Sequence, residues 1–147
     1  PHELRPQCPA KDRILSWRPA VTRSIPPPFS EIDAAEVFTL LSKTWTESTR
    51  ETYGTGLQAY HLFCNAKDVP EEQRAPASPE LLAFFITSLA GLYAHGTIVN
   101  YFCGVRAWHI THSLSWSINE IETNALLRAA KAISPPSSKR APREPYT

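Results

Sequence analysis

Nothing in this chain is long and apolar enough to enter a bilayer. The longest unbroken apolar run is Leu81 to Ile86, LLAFFI, against the roughly 20 residues a spanning helix needs, so no membrane partner is expected. The opening PHELRPQ lacks the pattern of a secretory signal. Because the chain starts at Pro1 rather than Met, it is expected to be a fragment or a processed product. Cysteine is sparse: Cys8, Cys64 and Cys103 are an odd count at no scaffold-like spacing. That excludes a disulfide framework and favours a reducing interior. Sustained strict alternation of apolar and polar residues is missing as well, which argues against strands, and no internal repeat is visible.

Charge of one sign is also lacking, with a net +1 over 147 residues, but its distribution is uneven. From Glu31 to Glu80 there are nine acidic residues and four basic ones, whereas Gly91 to Ser117 holds Arg106, three histidines and no acid. The first thirty residues carry five basic groups against Glu3 and Asp12. Arg128, Lys131, Lys139, Arg140 and Arg143 face only Glu144 at the other end. Basic ends on a mildly acidic body suit a polyanion gripped at its edges, and equally suit ordinary solvated tails.

What is present is helical periodicity behind a proline-rich start. Residues 1–30, with Pro1, Pro6, Pro9, Pro19 and the run Pro26-Pro27-Pro28, predict an extended arm. A proline groove ligand is conceivable there, and a spacer is the better reading. Ser30 precedes EIDAAEVFTLLSKTW, where acids in the first turn and Ile32, Ala35, Phe38 and Leu41 mark a first helix. A second runs from about Thr46 to Lys67. Ser78 and Pro79 supply a cap and a first-turn proline for a third that ends near Gly91. A fourth spans about Gly96 to His112, and a fifth, SINEIETNALLRAAKAIS, is stopped by Pro135-Pro136. The fold class is therefore all-α, a compact bundle of about five helices over residues 31–134, with 135–147 as a basic linker.

Within the second helix, GTGLQA imitates a dinucleotide-binding glycine fingerprint. Such a loop must follow a strand and open a helix; here Tyr53, Leu57, Tyr60 and Cys64 recur at helical spacing through it, and no strand precedes. Two interior glycines cost about 1 kcal/mol each relative to alanine, so a close approach is the better reason for them. Gly56 is expected at a tight helix crossing.

The fourth helix has two kinds of face. Ile98, Phe102, Val105 and His109 form an apolar stripe widened by Val99, Cys103 and Ile110. The opposite side carries Thr97, Asn100, Gly104, Ala107 and Thr111, bordered by Tyr101 and Trp108. Small, uncharged, hydrogen-bonding residues suit entry into a DNA groove, with Gly104 allowing close approach. Arg106 projects toward Val99 and Cys103 and is as readily an ion-pair residue as a base reader. The second helix offers a comparable patch in Ser48, Glu51, Thr52 and Thr55, which helix-start chemistry also explains. His61 with Cys64, and His109 with His112, have ligand-like spacing, but a buried thiol and a core histidine are the commoner outcome, so no metal or other cofactor is expected. No nucleophile elbow supports hydrolysis.

These residues together resemble the N-terminal, SAM-like core-binding domain of tyrosine recombinases, the phage integrase family. STRETYGTGLQAYHLFC is similar to its second helix and SPELLAFFITSLA to its third. GTIVNYFCGVRAWHITHSL resembles the next helix, with Thr97, Ile98, Val105 and His109 in matching places. SINEIETNALLRAAKAI followed by SKRAPREPYT resembles the last helix and the interdomain linker. The likeness covers roughly residues 32 to 147 and departs from the family at Gly96, Asn100 and Gly104, where relatives carry a basic residue and longer amides.

The resemblance implies double-stranded DNA as the partner, with a second copy on the same DNA left open, and no small-molecule substrate. It implies contacts from Thr49, Arg50, Thr52 and Thr55 on the second helix, Thr97, Asn100 and Gly104 on the fourth, and Lys139, Arg140 and Arg143 in the linker. Ser48 and Tyr101, which belong to or border the same polar faces, join them as candidate DNA contacts. Catalysis would belong to a separate domain of a mobile-element recombinase, so this chain alone is expected to cut nothing; Tyr146 lacks the arginines a nucleophile would need. A nuclear location follows if the host is eukaryotic, a nucleoid-associated one otherwise. A helical protein-interaction or oligomerisation module is the alternative.

Overall fold

A computed structural model describes residues 2–136. Lys139, Arg140, Arg143 and Tyr146 lie outside them. The regular elements among the described residues are all helical: a 3-10 turn (Ala10–Asp12), α1 (Arg13–Ser16), α2 (Glu31–Leu41), α3 (Glu47–Ala66), α4 (Glu71–Arg74), α5 (Pro79–Leu89), α6 (His95–Thr111) and α7 (Glu120–Ala132). Apart from an isolated bridge between His2 and Arg5, no β pairing occurs among them.

Local chemistry sets the helix ends. Ser30 and Asp33 form a reciprocal capping box at α2, with the Ser30 N–H donating to the Asp33 carboxylate at 2.9 Å. Thr46, Ser78 and Asn119 accept from the third-residue N–H of α3, α5 and α7, and Pro79 occupies the first turn of α5. At the other ends, Asp68 and Ser113 turn into the left-handed region (φ 54° and 59°). The N–H groups of Val69 and Leu114 then reach back to Cys64 O and His109 O, both at 2.9 Å. These return bonds consume carbonyls that α3 and α6 would otherwise leave open.

The crossing of α3 and α6 is the centre of the molecule. Leu57, Tyr60 and Cys64 from α3 meet Ile98, Val105 and Trp108 from α6, with Leu82, Phe85 and Ile86 of α5 closing the third side, all essentially sealed from solvent. The glycines act reciprocally. A Cβ on Gly56 would lie 2.5 Å from Tyr101 Cα, and one on Gly104 would lie 2.5 Å from Tyr53 O, so each helix abuts the other's backbone. Gly54 is held in the same way against the Ala10 carbonyl. The expectation for Gly56 therefore matches the packing.

The expected arm over residues 1–30 needs correction. Residues 2–19 are built into the fold: Ile14 and Trp17 are core residues, and Arg5 is 9 % exposed. Arg5 makes a two-pronged pair with Glu71, 2.8 Å on each side, and this bond, more than the neighbouring charges, holds the Glu71 carboxyl below the usual carboxylate range. Trp108 donates its indole N–H to Trp17 O at 2.7 Å, and the His112 imidazole meets Ile14 O at 3.0 Å. The prolines do not keep this segment away from the bundle. They interrupt regular structure while apolar and ionic side chains on either side of them anchor it.

α2 forms as its capping predicts, yet none of its residues is buried. Ile32 is 72 % and Leu40 73 % exposed; Phe38 touches the body through the His112 ring, 5.6 Å between centroids.

Candidate nucleic-acid interface

The sequence places two polar patches on α3 and α6, and the structure brings parts of both to one open cleft of about 310 Å³. It is lined by Glu51, Thr52 and Thr55 of α3 and Thr97, Asn100 and Tyr101 of α6. The geometry follows from the glycine crossing. Gly56 is seated on the Tyr101 backbone and Gly104 on the Tyr53 backbone, so α3 and α6 touch in antiparallel register, and the cleft lies beside that contact. Thr52, Thr55 and Asn100 are exposed, and Thr97 and Tyr101 are half-buried. The Tyr101 ring leans on Tyr93 at 5.8 Å, and desolvation raises its phenol pKa.

Hydroxyl directions matter here. Thr52 donates to Ser48 O at 3.3 Å and Thr55 to Glu51 O at 3.2 Å. Each hydroxyl spends its proton on its own helix and offers lone pairs to the cleft. The Glu51 side chain has no ion-pair or hydrogen-bond partner among the described residues.

Several expected contact residues lie elsewhere. Gly104 is buried against the Tyr53 backbone and approaches α3, so it leaves no route for a duplex. Ala107, Thr111 and Trp108, placed on or beside the same face by their spacing, are also sealed, Trp108 under Trp17. Thr49 is engaged in the α3 cap, where the Thr46 hydroxyl donates to it at 3.0 Å, while Ser48 remains exposed at the helix start. Arg50 is half-buried on the side of α3 that meets the N-terminal segment, and its Nε is enclosed without a partner. Its charge is felt by Lys11, whose pKa is raised chiefly by a 3.1 Å bond to Glu47. No sequence signal places Lys11 beside α3, because its helical turn is too short to show a period. Arg106 is exposed beside Trp116 and Asn119, away from the cleft, and its charge acts on Cys103 and Tyr53.

His61 and His109 are core groups. His109 accepts from the Ala77 N–H at Nε2 (2.9 Å), which leaves Nδ1–H to donate to Val105 O at 2.8 Å. The ring is thus neutral with both nitrogens used, and burial pushes its pKa down to about 4. His61 sits among the rings of Trp17, Tyr60 and Trp108, with Nδ1 3.2 Å from the Arg74 guanidinium. Burial, reinforced by Arg5 and Arg74, lowers its pKa to about 3. Cys64 is buried and its thiol is pushed up to about 11, mainly by desolvation. Among the described residues no three His, Cys, Asp or Glu side chains converge as a metal site.

No helix of the described chain is long and apolar enough to cross a membrane. No protein-family model, curated protein or solved structure matches the chain.

Proposed function

We propose that the chain binds double-stranded DNA through the α3–α6 cleft, as the core-binding half of a tyrosine-recombinase-like protein, and does not itself cleave strands. The observation that carries this reading is the convergence of Thr52 and Thr55 with Thr97 and Asn100 on one open cleft formed by two tightly crossed helices. The two helices touch backbone to backbone, and the small polar side chains beside that contact let base edges and phosphates of a duplex approach closely. Lys11 lies beside the start of α3, and Lys139, Arg140 and Arg143 follow α7 in sequence, as phosphate-contacting candidates.

Duplex binding measured by mobility shift across a salt series tests the proposal. Affinity should fall with log[salt] at a slope of about −0.9 per phosphate neutralised. A chain that shifts no duplex at low salt would refute it.

A second reading has its own observation. Phe29, Ile32, Val37 and Leu40 put apolar side chains on or beside α2 in solvent, with Phe29 61 % exposed, which favours a protein-interaction or oligomerisation role for that helix. Concentration-dependent sedimentation together with no duplex shift would select it.

A further inference from the structure

We infer that Glu51 is a specificity-determining residue of the α3–α6 cleft, reading the exocyclic amino group of cytosine in the major groove of the target. This deepens the DNA-binding proposal and rests on it. The α3 wall of the cleft consists of the Glu51 carboxylate and two hydroxyls whose protons go to Ser48 O and Glu51 O. An ionised carboxylate only accepts, and a hydroxyl whose proton is spent can only accept further. The whole wall therefore presents acceptors, and its one formal charge is negative.

A phosphodiester is anionic and also acceptor-only. Seated on this wall it would meet like charge and find no donor. With a duplex in the cleft, this wall therefore meets base edges in the groove, and the phosphates fall to basic residues outside it. In the major groove, donors come from cytosine N4 and adenine N6, whereas guanine O6 and N7 and thymine O4 accept. An acceptor wall thus selects cytosine or adenine and rejects guanine and thymine. Cytosine, offering the amino donor without a neighbouring N7 acceptor, is the better match to a carboxylate. Asn100 on the opposite wall carries both a donor and an acceptor, the pair that suits adenine N7 and N6. Glu51 is exposed and its side chain has no partner among the described residues, so no internal bond has to break for it to serve the groove.

Selection from a randomised duplex pool, run with the full chain and with Glu51→Gln, tests the assignment; circular dichroism checks that the variant folds. The wild type should enrich cytosine at one position and disfavour guanine there by roughly 5- to 100-fold. Glu51→Gln should lose that discrimination while keeping preferences elsewhere, and bind random duplex as well as or better than wild type because a negative charge is gone. Retained cytosine preference with a uniform change on every sequence would overturn the inference and leave DNA binding intact. Binding to no duplex by the wild type would overturn both.

Discussion

The two halves of α6 carry similar side chains to opposite ends. In the first half, Thr97 and Asn100 open onto the cleft; in the second, Gly104 is pressed on the Tyr53 backbone of α3, and Ala107 and Thr111 are buried. Small size explains both placements. Where nothing lies over them, small residues leave a cleft; beside a helix or chain that presses close, they let backbones touch. The difference is therefore set by what covers the helix, and the cover comes from residues 2–19 and from α3, far away in sequence.

The largest expected effect comes from filling the sealed half. Gly104→Ala places a Cβ 2.5 Å from Tyr53 O and 3.0 Å from Tyr53 Cα. Backbone cannot step aside as a side chain can, so the crossing must open. A loss of roughly 3 kcal/mol is expected, read as a lower midpoint in thermal or urea unfolding. An unchanged midpoint would mean that the crossing is looser than described.

Acid should loosen the same half by a second route. His61 and His109 have folded pKa values of about 3 and about 4, and His112 is lowered by burial. An unfolded imidazole titrates near 6.5. Between these values the unfolded chain binds more protons, so stability is intact above pH ~6.5 and is lost as pH falls toward the folded pKa values. His61 and His109 together should account for roughly 2 kcal/mol by pH 5.5. Urea midpoints across pH 5 to 7.5 measure this, and a flat profile would contradict neutral buried rings. The Glu71 carboxylate, held down mainly by its Arg5 hydrogen bonds, adds a loss only at lower pH.

Changes in the open half should act on binding and spare folding. Asn100→Ala is expected to cost about 1.5 kcal/mol at one base position and to alter preference among sequences more than overall affinity, as read by competition between related duplexes. Equal losses on all sequences would make Asn100 a backbone contact. The smallest effect belongs to Thr52→Ala, whose hydroxyl donates only to its own helix at 3.3 Å. Its unfolding midpoint should stay within about 0.5 kcal/mol of wild type; a larger drop would show that the cleft wall supports the core.

Much of this was legible from local signals. Ser30, Ser78 and Pro79 announce helix starts, and the stripe Leu57, Tyr60 and Cys64 announces a buried face, because caps and periodicity act within a single helix. Gly56 could be read as a packing glycine for the same reason. The outward placement of Gly104 could not be corrected from sequence. It lies on the same side of its helix as Asn100, one turn on, and only the position of Tyr53 separates their fates. Residues 2–19 were opaque because their helical turns are too short to establish a period and because buried Arg5 and Arg74 look like surface residues. Their burial depends on Glu71, Val69 O and His61 being assembled around them. The exposed face of α2 misleads in the other direction: Ile32 has core-like spacing, yet it stays in solvent while Phe38 alone stacks on the His112 ring.

The central claim, that the open half of the α3–α6 crossing is the DNA-contacting surface, is tested most directly by mapping backbone amide shifts by NMR as a duplex is added. The account predicts perturbations centred on Thr52, Thr55, Thr97 and Asn100, with Ala107, Thr111 and α2 unmoved. Shifts confined to α2, or none at all at saturating duplex, would contradict it.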